Sequence, residues 1–244
     1  MHRGFDSLIA YGLAALFLLA AAAALWAAPG WLIDRLATLH PGCLYQVPAG
    51  SPVVGLTIDD GPASSTPLIL AALRRENVRA TFFLIADRMR GREEIVRSLV
   101  AEGHEIGNHF TRDRPSIRLS AADFEADLLQ SDSVLRPFGP VRWARPGSGW
   151  YSEAMIETMR RHGYRCALGS VYPFDAAIPW VSFTAGYILR NVRPGAVVVL
   201  HDGDNRGPRT AEVLRKVLPE LRRRGYRLVT LTQLADPGSW PAGP

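Results

Sequence analysis

Four short polar clusters carry most of the chemistry in this chain: Asp59-Asp60-Gly61-Pro62, Asn108-His109, Arg145-Pro146-Gly147 and His201-Asp202-Gly203. Asp59 and Asp60 are adjacent, and Gly61-Pro62 breaks whatever strand carries them, so both carboxylates can approach one site. Two such charges repel unless a cation or a proton relieves them, and a divalent metal does so directly. His109 and Asp113 are four residues apart, and on a helical turn they would project about 40° from one another. Asp60, His109 and Asp113 are therefore expected to form a three-ligand site. Three protein ligands leave a position open for water, as in catalytic zinc centres. Such a metal acidifies water, Asp59 is left free to take the proton, and His201 can give one to a leaving group.

The elements that must position these residues alternate. Strands are predicted at 53–57, 81–85, 105–108, 141–144, 165–168, 196–200 and 227–231. Helices are predicted between them at 67–77, 92–102, 120–138, 152–162, 181–191 and 210–224, with Ser120 as a cap and Gly103, Gly163 and Gly225 as stops. Strand–helix alternation implies α/β architecture, a parallel sheet covered by helices. Periodicity leaves a closed barrel and an open doubly wound sheet both available. Alone, an Asp-Gly-Pro is a turn and a lone histidine is a structural residue. Here each cluster directly follows a predicted strand, at the end where α/β folds build sites.

Composition sets the remaining bounds. Of 244 residues, 48% are hydrophobic and 21% charged, which is globular composition. Two cysteines, Cys43 and Cys166, exclude a disulfide scaffold and a cysteine zinc cluster; one disulfide between them is open in an oxidising compartment, but nothing in the sequence places the two together. The net charge is +5, but Lys216 is the only lysine and no long basic run or nucleic-acid module occurs, so no nucleic-acid partner is expected. No Gly-x-Gly-x-x-Gly or Walker motif is present. Residues 8–28 are unbroken and apolar, long enough for a transmembrane helix of about 20 residues and longer than a usual signal core. The expected organisation is a membrane anchor or signal over 1–30, a linker over 31–52, a catalytic domain over 53–236 and a tail over 237–244. That places the domain outside the cytoplasm, anchored to the membrane or secreted.

TIDDGP (57–62), GHEIGNH (103–109), RPGSG (145–149) and VVLHD (198–202) resemble, in order and spacing, the motifs of the polysaccharide deacetylase family, the NodB-homology domain of carbohydrate esterase family 4. The resemblance spans about residues 53–232. It implies a distorted (β/α) barrel of about seven parallel strands and a metal-dependent hydrolase, usually with zinc, that removes acetyl groups from N-acetylated sugar polymers such as chitin or peptidoglycan. It further implies Asp59 as base, Asp60 and His109 as metal ligands, Arg145 as the residue orienting the base, and His201 as acid. Asp175 becomes the candidate to raise the pKa of His201. Backbone N–H groups near Gly147 and Ser148 would hold the oxyanion, and Leu200 would line the acetyl pocket.

Three departures from the family pattern stand out. Asp113 replaces the second metal histidine, which adds negative charge and makes the site harder, open to cobalt or manganese as well as zinc. RPGSG lacks the Pro-Tyr expected after Arg-Pro. The tryptophan expected near 170–180 has Tyr172, Phe174 and Trp180 as candidates. These changes bear on the substrate, for which an amidase or esterase acting on a small or lipid-linked molecule is an alternative. A non-catalytic glycan-binding module on the same fold is a second. His104 is expected to brace its strand, and Arg222 to Arg224 to interact with a helix end and solvent.

Overall fold

The computed structural model describes residues 11–20, 30–39, 42–48, 50–203 and 205–236. The chain divides into two units, 1–39 and 40–244. In the first, α1 (11–20) carries Tyr11, Leu13, Leu16, Phe17, Leu18 and Leu19 exposed, and α2 spans Gly30–Leu39. Of the expected apolar span 8–28, residues 11–20 are described and the rest lie outside the described residues, as does the tail. Among the described residues no helix is long and apolar enough to cross a membrane.

The second unit is built on parallel strands: β1 (Cys43–Leu44), β2 (Val53–Gly61), β3 (Thr81–Leu84), β4 (Glu105–Asn108), β5 (Trp143–Ala144), β6 (Arg165–Ala167), β7 (Val197–His201) and β8 (Arg227–Val229). They pair in the order β1-β6-β5-β4-β3-β2-β7, with β8 joining the first half of β2. After β6 the chain reaches β7 through a parallel bridge between Val171 and Val198, so the sheet curls round toward closure. All nine residues of β2 are buried, as expected for a strand covered on both faces.

All seven predicted strands are present. The eighth, β1, lies where a linker was expected. It pairs with β6 so that Cys43 and Cys166 are register partners, and the two form a disulfide. Two residues of strand carry no periodicity to detect.

The helices α3 (Thr66–Arg75), α4 (Glu93–Ala101), α5 (Ala121–Leu135), α6 (Glu153–Arg161), α7 (Val181–Asn191) and α8 (Gly207–Arg223) match the predicted helices to within a few residues. α8 buries Thr210, Ala211, Val213, Leu214, Val217, Leu218 and Leu221, one apolar face, against α3 and α7. The strand predicted at 227–231 stops at Val229, because Thr230 and Gln233 form a capping box that opens α9 (Leu231–Ala235). Leu231 and Leu234 of α9 pack with Val53, Phe83, Trp143, Ala167, Val197 and Val229. This apolar interior runs from the start of β2 at Val53 up to Phe83, the register partner of Asp59.

Candidate active site

Strand parity explains how Asp59 enters the interior. Side chains alternate along β2, so Val53, Gly55, Thr57 and Asp59 share one face. Val53 belongs to the apolar interior, and the Cβ position of Gly55 abuts Leu231 and Leu234 of α9. Thr57 and Asp59 both receive Nη1 of Arg145, at 2.9 and 2.5 Å. The remaining donors of Arg145 go to the Ala167 carbonyl at 2.9 Å and to the Leu168 carbonyl, and its guanidinium lies 4.1 Å from the centre of the Phe83 ring. A guanidinium fixed in this way can orient one carboxylate oxygen and leave the other free to act.

By the same parity Asp60 would face away. It does not, because its backbone sits in the left-handed region (φ 68°) and the pairing with β3 shifts register between Asp59 and Gly61. This break comes one residue earlier than the Gly61-Pro62 pair that was expected to make it. Asp60 Oδ1 then lies 3.4 Å from His109 Nε2. The Arg145 carbonyl accepts from His109 Nδ1 at 2.7 Å, which makes Nε2 the nitrogen turned to Asp60. Burial opposes the charge of both groups. For Asp60, His109, His201 and Arg206 outweigh burial and hold the carboxyl well below the usual range. For His109, Asp60 and Asp59 prevail and raise it.

Asp113 does not join them. Residues 109–115 form no helix, and Phe110 has φ 65°, so the expected stacking of His109 and Asp113 on one turn is absent. The Asp113 side chain is 54% exposed, with Oδ2 3.4 Å from Arg88 Nη2 and 4.0 Å from Arg206 Nη2. Among the described residues no three His, Cys, Asp or Glu side chains are gathered for a metal. Asp60 and His109 nonetheless suit a divalent cation. They are buried and adjacent, and the histidine's second nitrogen is bonded to a carbonyl, as in metal-ligating imidazoles.

His201 ends β7 as the register partner of Asp59. Asp175 grips it twice, accepting from His201 N at 2.8 Å and from Nδ1 at 3.0 Å. Burial works against the imidazolium, but Asp175, Asp59 and Asp60 prevail and raise its pKa to about 9. The neighbouring Asp202 is fully buried and accepts from Ser65 Oγ at 2.8 Å and Thr66 Oγ1 at 2.5 Å, tying the loop after β7 to the start of α3.

The expected substrate-binding residues divide. Tyr172 comes close to Arg145, Asp59 and Tyr151. Its burial, opposed by Arg145 and aided by Asp59 and Tyr151, pushes the phenol up to about 12. Phe174 and Trp180 are instead exposed. Leu200 has no exposed surface, so it offers no wall to an acetyl group. Gly147 N–H donates to Ser116 Oγ at 2.9 Å, which corrects its expected oxyanion role. A Cβ at Gly147 would run into the Arg114 carbonyl, and a proline there would also lack the N–H that Ser116 accepts. Ser148 follows with φ 64°, a rare conformation for a non-glycine residue. His104 is a strut as expected: Nδ1 accepts from Ala80 N at 3.1 Å, and burial lowers its pKa to about 4. Arg222 and Arg224 bond the Glu76 and Leu189 carbonyls, and Arg223 pairs with Glu220, consistent with a helix-end role.

Two charged residues went unnoticed in the sequence. Arg206 donates through Nη1 to Asp60 Oδ2 at 2.7 Å, and Arg88 donates to the Asp60 carbonyl at 2.5 Å. Both follow the C-terminal end of a strand, the position that singled out the four clusters.

The family profile described as Polysaccharide deacetylase matches residues 46–167. The chain belongs to the polysaccharide deacetylase family. It is 34% identical over 195 residues to a peptidoglycan-N-acetylglucosamine deacetylase of Bacillus cereus, covering 78% of this chain and 91% of that protein. It is 34% identical over 206 residues to a chitooligosaccharide deacetylase of Bradyrhizobium sp., covering 78% and 94%. The solved structure of the Bc1960 peptidoglycan N-acetylglucosamine deacetylase superposes with a TM-score of 0.76 at 26% identity, covering 81% of this chain and 95% of that one. This family membership accords with the parallel, curled (β/α) architecture described above.

Proposed function

We propose that this polysaccharide deacetylase homologue removes the acetyl group from an N-acetylated sugar of a chitin- or peptidoglycan-like glycan. The observation that carries the reading is the pairing of Asp59 with His201 on neighbouring strands, each held by its own partner, Arg145 and Asp175. Asp59 takes a proton from the attacking water, which adds to the acetyl carbonyl carbon. The Ser148 N–H steadies the oxygen as it gains charge. His201, protonated at neutral pH, delivers its Nε2 proton to the sugar nitrogen as the carbon–nitrogen bond breaks, giving acetate and a free amine. A divalent cation, zinc first and cobalt or manganese as alternatives, would be held by Asp60 and His109, with Asp113 as a further ligand once it turns inward. It would supply Lewis-acid polarisation of the carbonyl and the water. Tyr172 lines the sugar side of the site.

The proposed setting is the outer face of the cytoplasmic membrane, with residues 8–28 as anchor. Two observations support it: the apolar side chains exposed all round α1, and a disulfide, which persists in oxidising compartments. Acetate release from N-acetylated chitooligosaccharides and from peptidoglycan, compared at equal acetyl concentration, tests the reading. Release from either supports it, and no release from any acyl sugar in the presence of zinc, cobalt or manganese rejects it.

A further inference from the structure

Asp59 and Asp60 lie within the site and Asp113 at its exposed edge, and three guanidinium groups pair with them, Arg145, Arg206 and Arg88. The pairings differ in kind. Arg145 and Asp59 are sealed in the interior, with side chains 2% and 5% exposed. Arg206 is 27% exposed and sits at the mouth. Its Nη1 covers Asp60 Oδ2 at 2.7 Å, while Asp60 Oδ1 is turned to His109. Its Nη2 lies 4.0 Å from Asp113 Oδ2, so one guanidinium spans the two carboxylates expected to share a metal.

Asp60 therefore already holds a permanent positive charge on one of its oxygens. A divalent ion placed on Asp60 meets a positive charge already seated on the same carboxylate, and like charges this close repel strongly where water is scarce. Asp113 must also leave Arg88 and Arg206 before it can turn inward. Asp113 adds an ion-pair partner for Arg88 at 3.4 Å and a second, longer one for Arg206 at 4.0 Å.

We infer that Arg206 is the built-in counter-cation of Asp60, and that it and a divalent metal exclude one another there. Metal affinity is then set by the displacement of Arg206. This rests on the reading of Asp60 and His109 as metal ligands, and it concerns an equilibrium that is measured apart from turnover.

The test is calorimetric titration of the full chain with zinc. Arg206→Gln removes the competing charge and binds zinc about tenfold more tightly than the wild type, through relief of the like-charge contact at Asp60. Arg206→Lys keeps the charge and stays near the wild-type affinity. Asp60→Asn abolishes the binding in either background. Crystals of the zinc-loaded wild type show Arg206 displaced from Asp60. Equal or weaker zinc binding by Arg206→Gln overturns the inference. So does a zinc-loaded structure in which Arg206 still bonds Asp60, or the absence of Asp60-dependent zinc binding in both proteins. Failure of the deacetylase reading would show instead as absent acetate release from metal-loaded protein, whatever the affinities.

Discussion

Asp59 and His201 are register partners on adjacent parallel strands, so the proposed base and acid stand side by side on one face of the sheet. Neighbouring strands lie about 4.8 Å apart. A substrate bond can therefore be served from both groups without any movement of the backbone. Arg145 fixes one member and Asp175 the other.

The pH dependence follows from the second of these pairings. His201 has its pKa raised to about 9, so it is protonated, and competent as an acid, below that pH. Turnover falls as pH rises through about 9. Asp175→Asn removes the hydrogen bond that does most to raise His201, and it moves this alkaline limb to lower pH. The same shift contributes stability that is full below the ordinary histidine value of 6.5 and is lost as pH rises through about 9. The kcat–pH profile of wild type and variant checks the prediction, and an unmoved limb counts against His201 as the acid.

Arg145 and Asp59 are not equivalent as targets. Arg145→Ala leaves the buried Asp59 carboxylate uncompensated and costs about 3–5 kcal/mol of stability. Asp59→Asn leaves Arg145 bonded to Thr57 and to the carbonyls of Ala167 and Leu168, so its stability stays much closer to wild type. Urea unfolding of the two variants shows the order. A larger loss for Asp59→Asn would contradict it.

The disulfide ties β1 to β6 across 123 residues of sequence. A crosslink closing so long a loop stabilises by about 2–4 kcal/mol. Reduction, or the Cys43→Ser and Cys166→Ser pair, lowers the unfolding midpoint accordingly. The loss is read by thermal unfolding with and without reductant, and an unchanged midpoint refutes it.

How far the sequence reached can be argued residue by residue. The strands, the helix stops and the end of the sheet that holds the chemistry were all readable, because alternation and C′ glycines are local signals. So was the set Asp59, Asp60, His109, Arg145 and His201. Asp175 was readable only through the family resemblance, since its double bond to His201 is made across a loop. The Cys43–Cys166 bond was hidden because it depends on a two-residue strand. The course of Asp113 was hidden because it turns on the left-handed Phe110, a residue with no side-chain chemistry to announce a bend. Arg206 and Arg88 stood among many arginines, and only their placement after β7 and β3 distinguishes them.

The measurement closest to the central claim is acetate release from an N-acetylated chitooligosaccharide by wild type and Asp59→Asn, each purified as the full chain and supplied with zinc or cobalt. The account predicts release by the wild type and a loss of about 10²–10⁴-fold in kcat for Asp59→Asn, the usual worth of a general base, with the variant still folded. Release by Asp59→Asn at the wild-type rate would contradict it.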